Sequence, residues 1–250
     1  MDRAGQLRGV TALVSGGSSG LGRATALALA AAGADVAVLA RGATDLRATA
    51  DEIAAGGVRA SAVVVDLADA GAIERAVRHV HDELGGVDVL VNAAGTDVPG
   101  PVAELDVAAW DRVFDVNLRA AFLLSQAVWP NMRERGGGTI VNVSSVAGRR
   151  GWANASAYCA AKFGLTGFTQ ALAAEGRPHR IRACVLYPGA MDTSWGVWSP
   201  EDRGAAQPSV PADALPPEQV AELIVWIAAA PPGLVLNEVT VTPLLEQGWP

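Results

Sequence analysis

Seven short apolar runs, each separated from the next by a helix-like stretch, constrain this chain more than any other feature. The runs are Val10–Val14, Asp35–Leu39, Ala60–Val65, Val87–Val91, Thr139–Val143, Ile181–Leu186 and Glu238–Thr242. Most are near-continuous in Val, Ile, Leu and Ala, as strands covered on both faces of a parallel sheet must be. Between them, Leu21–Ala32, Ala43–Ala55, Ala70–Leu84, Val107–Glu134, Ala155–Glu175 and Pro217–Ala229 read as helices. Glycines at positions 33, 56, 57, 85, 86 and 136–138 mark their ends, where the backbone turns left-handed. The alternation predicts an α/β fold. Its centre is a doubly wound parallel sheet of about seven strands, with helices on both faces.

No linker or internal repeat interrupts this rhythm, so residues 1–250 are expected to form a single domain. One segment breaks the pattern. Residues 191–216 are rich in Pro, Ser, Trp and Asp and have no clear period, as expected of a substrate-binding loop or lid.

Composition removes several classes. Hydrophobic residues make up 50% and charged residues 18%, which excludes a disordered chain. Nineteen Lys+Arg against 26 Asp+Glu give a net charge of −7, unlike a nucleic-acid binder or a protein drawn to anionic membranes. The basic run from Arg177 to Arg182 is broken by Pro178 and Ile181 and is expected to be a solvated turn. Cys159 and Cys184 make no disulfide framework and fit a reducing compartment. No secretory signal is legible in residues 1–10, and the longest apolar stretch, Ala24–Ala32, is too short to span a bilayer. A cytoplasmic protein is the expectation. With three histidines and no Cys/His cluster, no metal site is expected.

The turn after the first run carries the first chemistry. Val14-Ser15-Gly16-Gly17-Ser18-Ser19-Gly20-Leu21-Gly22 leaves a strand and opens an Ala-rich helix. Glycines let backbone N–H groups approach a ligand closely, and a helix N-terminus carries about half a positive charge. Together they favour a pyrophosphate. The spacing differs from GxGxxG, and Arg23-Ala24 stand where a P-loop requires Lys-Ser/Thr.

This turn resembles the TGxxxGxG motif of the short-chain dehydrogenase/reductase family, with Ser15 in place of Thr. The resemblance continues in order along the chain. Asp66-Leu67 is similar to the family's adenine-contacting pair. Asn92-Ala93-Ala94-Gly95 resembles NNAG, with Ala93 for the second Asn. Asn117 and Ser145 follow, then Tyr158-Cys159-Ala160-Ala161-Lys162 as YxxxK, and Pro188-Gly189 with Thr193 as PGxxxT. It covers roughly Leu7 to Gln247 and implies a Rossmann-type fold.

The resemblance implies a catalytic set of Asn117, Ser145, Tyr158 and Lys162. It implies cofactor contacts from Ser15, Gly16, Ser18, Ser19, Gly20, Leu21, Arg41, Asp66, Leu67, Asn92, Ala93, Gly95, Pro188, Gly189, Met191 and Thr193, besides Tyr158 and Lys162. Lys162 would also bind the nicotinamide ribose, and Asn117 would anchor a proton-relaying water. The chemistry agrees. Tyr158 and Lys162 are i and i+4 and share a helix face. A nearby ammonium and a positive nicotinamide favour the phenolate, so Tyr158 is expected to exchange a proton near neutral pH. The Ser145 hydroxyl suits the same substrate oxygen. A lone Tyr/Lys pair of this kind is ordinarily a surface contact, and Ser144 and Ser145 could each cap a turn. Ser145 is preferred because it lies thirteen positions before Tyr158, the family's usual separation. Cys159 is expected to face elsewhere on the helix, as a packing thiol.

The second run ends Leu39-Ala40-Arg41. The acid that would select NAD is replaced by Ala40, and Arg41 suits the 2′-phosphate of NADP. NADP(H) is therefore favoured over NAD(H). Trp152, Trp195 and Trp198 flank the catalytic motifs and predict a largely apolar pocket shared with Ser145 and Tyr158. Trp110, Trp129 and Trp226 are expected to pack on helices. The C-terminal tail is more like broad carbonyl or hydroxy-acid reductases of the family. The expected activity is an NADP-dependent interconversion of an alcohol and a ketone or aldehyde. The alternatives are a non-catalytic NAD(P)-binding sensor and a 3-oxoacyl carrier-protein reductase. Relatives pair the two long helices across a two-fold axis, so a homodimer or homotetramer is expected.

Overall fold

A computed structural model describes residues 5–193 and 213–246. Trp195, Trp198 and most of the expected lid lie outside them. The strands are β1 (Thr11–Ser15), β2 (Asp35–Ala40), β3 (Ala60–Val64), β4 (Val89–Asn92), β5 (Gly138–Val143), β6 (Ile181–Pro188) and β7 (Glu238–Val241). They form one sheet in the order β3-β2-β1-β4-β5-β6-β7, and every pairing is parallel. The helices are α1 (Gly20–Ala31), α2 (Ala43–Ala55), α3 (Ala70–Leu84), α4 (Val107–Phe114), α5 (Ala120–Glu134), α6 (Ser156–Gly176) and α7 (Pro217–Ala229).

Alternation along each strand divides the apolar side chains between two cores. Ala12 and Val14 of β1 pack with α1, α2 and α7 on one face. Leu13, between them, packs with α3, α5 and α6 on the other. Val89, Val91 and Leu90 divide in the same way on β4, as do Val141, Val143 and Ile140 on β5. A period of two on strands covered from both sides requires this.

Three expectations need correction. The stretch Val107–Glu134 is not one continuous α-helix. A π-turn at Asp115–Arg119 separates α4 from α5. There the Asn117 amide donates to the Val113 carbonyl at 2.8 Å, competing with the helix ladder. Arg182 does not lie in a solvated turn. Its guanidinium reaches Thr139 Oγ1 at 2.8 Å and the carbonyls of Ala228 at 3.3 Å and Ala230 at 2.8 Å. The last carbonyls of a helix lack partners within it, and Arg182 satisfies those at the end of α7. Trp226 does not pack inside but is 42% exposed. Trp110, by contrast, stacks on Phe114 with centroids 4.9 Å apart, and Trp129 packs against the second core.

Candidate active site

The sheet order reverses between β1 and β4, so their following turns part and leave a crevice at the carboxyl ends of the strands. Ser15 closes the floor of that crevice. Its Oγ accepts from the backbone N–H groups of Ala93 and Ala94, both at 3.2 Å. Gly16 has φ +75, and a Cβ there would stand 2.9 Å from the Ala94 backbone. A Cβ on Gly17 would lie 2.6 Å from Val38 Cβ. The turn is therefore compatible only with glycine at both positions. Ser19 precedes α1 without a side-chain capping bond, and the first turn of α1 carries no acid. The positive helix end is left to a ligand, and the residues present fit a dinucleotide pyrophosphate. Thr193 folds beside this turn, 3.5 Å from where a Cβ on Gly20 would be.

On the other side of the crevice, a chain of buried hydrogen bonds locks α6 to the sheet. Asn92 Nδ2 donates to Asn142 Oδ1 at 2.7 Å, Asn142 Nδ2 to Thr169 Oγ1 at 2.8 Å, and Thr169 to the Leu165 carbonyl at 2.6 Å. Ser144 Oγ donates to the Lys162 carbonyl at 3.2 Å. α6 thus presents Tyr158 and Lys162, both buried, at the crevice. Lys162 Nζ donates to the Val143 carbonyl at 2.8 Å and lies 5.6 Å from the Tyr158 ring centroid. Ser145 Oγ accepts from Ala147 N–H at 3.1 Å, capping a 3-10 turn, and is also hydrogen-bonded to Tyr158. Capping and approach to Tyr158 coexist.

Asn117 braces the loop after β4. Its Nδ2 donates to the carbonyls of Thr96 at 2.7 Å and Val113 at 2.8 Å, and its Oδ1 accepts from Thr96 N–H at 3.3 Å. Both amide hydrogens are used within the chain. Cys159 is buried, as expected of a packing thiol. It packs in one small cluster with Ala147, Ala155 and Tyr158.

In the chain by itself, electrostatics oppose ionisation of Tyr158. Burial pushes the Tyr158 phenol well above its ordinary value; Asp97 and Cys159 add to this, and the Ser145 hydrogen bond opposes it. Lys162 does not offset the rise, because burial pushes its own amine down to about 7. The chain by itself holds Tyr158 protonated.

At the far end of the crevice, Arg41 is exposed directly beyond β2. Burial is the largest single influence on Asp66 and raises it, but Arg112, the Ala68 N–H and the charge of Arg41 together outweigh it and hold the carboxyl below its usual value. Arg112 Nη1 reaches both Asp66 oxygens, at 3.0 and 3.1 Å. Leu67 is buried, while Pro188 ends β6 and Gly189 follows it, its N–H donating to Val241 O at 2.8 Å. Ser15, Gly16 and Gly17 on one side and Ser145, Tyr158 and Lys162 on the other thus flank the crevice. Trp152 stands at 49% exposure between Ser145 and Tyr158 in sequence. Sequence reasoning missed Asp97, Arg112, Asn142 and Thr169. Asn142 and Thr169 carried a signal, as polar residues at the centre of an apolar strand and helix. Arg112 carried none.

The Lys162 shift gives a signed prediction. An unfolded lysine keeps its proton to about pH 10.4. In the fold the proton is lost from about 7. Between these values the unfolded chain binds more protons, so stability rises with pH, by up to about 1.4 kcal/mol per unit. Relative to Lys162→Met, the cofactor-free wild type should gain roughly 2–4 °C in Tm per pH unit between 7 and 10. Thermal unfolding across that range reads it, and a constant difference would show that the amine keeps its proton in the fold.

Known proteins are similar to this chain in sequence and in fold. The sequence pattern of short chain dehydrogenases matches residues 10–203. A short chain dehydrogenase of Pseudocercospora fijiensis is 41% identical over 200 residues, 79% of this chain and 64% of that protein. The L-xylulose reductase of Mesocricetus auratus is 42% identical over 218 residues, covering 87% of this chain and 85% of the relative. A metagenomic short-chain oxidoreductase, solved in complex with NADP, superposes with a TM-score of 0.83 at 33% identity over 96% of this chain and 100% of its own. The buried Tyr158–Lys162 pair, the glycine turn on Ser15 and these matches lead to one conclusion: the chain belongs to the short-chain dehydrogenase/reductase family of oxidoreductases.

Proposed function

We propose that this protein is an NADP-dependent oxidoreductase that interconverts an alcohol and a ketone or aldehyde, with Tyr158 as general acid and base. The observation that carries the reading is the Tyr158 hydroxyl, buried and hydrogen-bonded to Ser145, with Lys162 one turn away at a crevice built for a dinucleotide. A bound nicotinamide supplies or accepts the hydride. Ser145 holds the reacting oxygen and the charge that develops on it. In the reducing direction, the proton for that oxygen leaves Tyr158 Oη; in the oxidising direction it returns there. Lys162 would bind the ribose hydroxyls, and the positive charge of an oxidised nicotinamide would favour the phenolate. The side-chain N–H groups of Asn117 are occupied by the Thr96 and Val113 carbonyls, so a proton-relaying water would meet Asn117 through an acceptor oxygen. A sensor would have no use for a buried acid/base pair, which favours catalysis over binding alone.

NADP is supported by Arg41 following Ala40, where an acid would favour NAD. A homodimer or homotetramer is supported by apolar side chains left on the α5–α6 face. Phe122 and Phe163 are 43% and 46% exposed, and Phe122 meets Phe168 edge to face with centroids 6.0 Å apart. A reducing compartment such as the cytoplasm is supported by buried free thiols at Cys159 and Cys184.

Three outcomes are expected. Tyr158→Phe should retain cofactor binding while turnover of ketones falls by roughly 10²–10⁴-fold in steady-state assays; wild-type activity would sink the mechanism. Arg41→Ala should reduce the preference for NADPH over NADH by roughly 10–100-fold, read as paired cofactor affinities. Equal weakening of both cofactors, or a wild type that prefers NADH, would show Arg41 to be a surface cation. Light scattering at micromolar concentration should give the mass of two or four chains, and a monomer mass would refute the assembly.

A further inference from the structure

We propose that Asp97 selects the substrate by accepting a hydrogen bond from a donor group, an ammonium or a hydroxyl, carried near the reacting carbonyl. The proposal deepens the oxidoreductase reading above and rests on it.

Asp97 lies two residues beyond Gly95, in a loop held on both sides. Asn117 grips Thr96 through both its N–H and its carbonyl. Further on, Gly100 N–H donates to the Asn154 carbonyl at 2.9 Å, and Gly100 bridges Ala155, immediately before α6. The loop is thereby laid against the N-terminal end of the helix that carries Tyr158. The Asp97 carboxylate lies close enough that its charge opposes ionisation of the phenol.

The environment of this carboxylate is unusual. Asp97 is 9% exposed. Its one hydrogen bond among the described residues is from the Val98 N–H to Oδ1 at 2.8 Å, and it forms no ion pair with them. A nearly buried carboxylate without a cation is unfavourable. The bond to Val98 does not explain the charge, because the carbonyl oxygen of an Asn would accept it equally. Help to Tyr158 does not explain it either, since a negative neighbour hinders loss of the phenolic proton. A donor on the ligand would meet the uncommitted acceptor capacity and compensate the desolvated charge. It would do so beside the group that handles the carbonyl oxygen. The crevice wall is therefore not wholly apolar, whatever the tryptophans contribute.

The test uses three cyclic ketones of similar shape: N-methyl-4-piperidone, which is cationic near neutral pH, 4-hydroxycyclohexanone and 4-methylcyclohexanone. Each is assayed with NADPH on wild type and on Asp97→Asn, which keeps the shape and the Val98 bond. Wild type should favour a donor-bearing ring over the methyl ring. Asp97→Asn should reduce that preference by roughly 10–100-fold, mainly through KM. A loss confined to the piperidone assigns a cation, and a loss confined to the alcohol assigns a hydroxyl. An unchanged preference overturns the proposal. The Tm of the variant should equal or exceed that of wild type, because a buried charge has been removed. Calorimetric titration of the piperidone into NADP-loaded protein separates the two readings. If no ketone turns over but wild type binds the piperidone more tightly than Asp97→Asn, Asp97 stands and the reductase reading falls. Equal binding to the two proteins, or binding to neither, without a change in turnover preference overturns the role of Asp97.

Discussion

The hydrogen-bonded chain from Asn92 through Asn142 to Thr169 is the connection on which the site depends. It joins two parallel strands to α6 through residues that are all buried. In such surroundings an unpartnered amide costs about 1–3 kcal/mol, so each member is held by the need to satisfy its neighbour. Apolar packing alone would let α6 slide or rotate over the sheet at modest cost. Directional bonds at Asn142 and Thr169 restrict that freedom. The Lys162 Nζ bond to Val143 and the Ser144 bond to the Lys162 carbonyl then add two further ties on the same helix. Tyr158 and Lys162 are thus positioned by groups that never approach the reacting atoms.

Most of the architecture was legible because its signals are local. β-branched runs and glycine punctuation specify parallel strands and their crossovers, and the bounds of α2, α3 and α7 fall where the sequence pattern places them. What was illegible depends on distant partners. The π-turn at Asp115–Arg119 was not legible, because it goes with the Asn117 amide reaching back to the Val113 carbonyl, a polar partner that apolar periodicity does not report. Arg182 looked solvated because the carbonyls it satisfies lie some fifty residues later, at the end of α7. The motif residues of the crevice could be named from their order. Their protonation could not, because it is governed by burial, which a spacing of i and i+4 does not report.

That burial divides the work between the chain and whatever binds it. Desolvation disfavours charge on both Tyr158 and Lys162, so without a ligand neither group is driven to ionise by the other. In the proposed reaction the missing favourable charge would come from an oxidised nicotinamide, so Tyr158 would exchange its proton more readily with the cofactor in place. A site arranged in this way would be quiet when empty. The same low dielectric that disfavours ionisation in isolation strengthens each interaction once the complementary charge is bound.

The two ends of the crevice therefore work in different electrostatic regimes. Asp66, Arg112 and Arg41 form a group at the proposed adenine end where Asp66 and Arg41 are exposed and water and salt reach the charges. Ion pairs of this kind contribute little to stability and are screened over about 8–10 Å at ordinary ionic strength. Tyr158, Lys162 and Asp97 are shielded from that screening by their burial. Added salt should consequently act on the binding of the cofactor phosphates and leave the proton chemistry largely alone. A change of pH should act mainly on the buried end, where Lys162 has been moved into the neutral range. The fold produces this separation directly: Arg41 ends a strand near the sheet edge, whereas α6 is drawn against β5 by the polar chain at its centre.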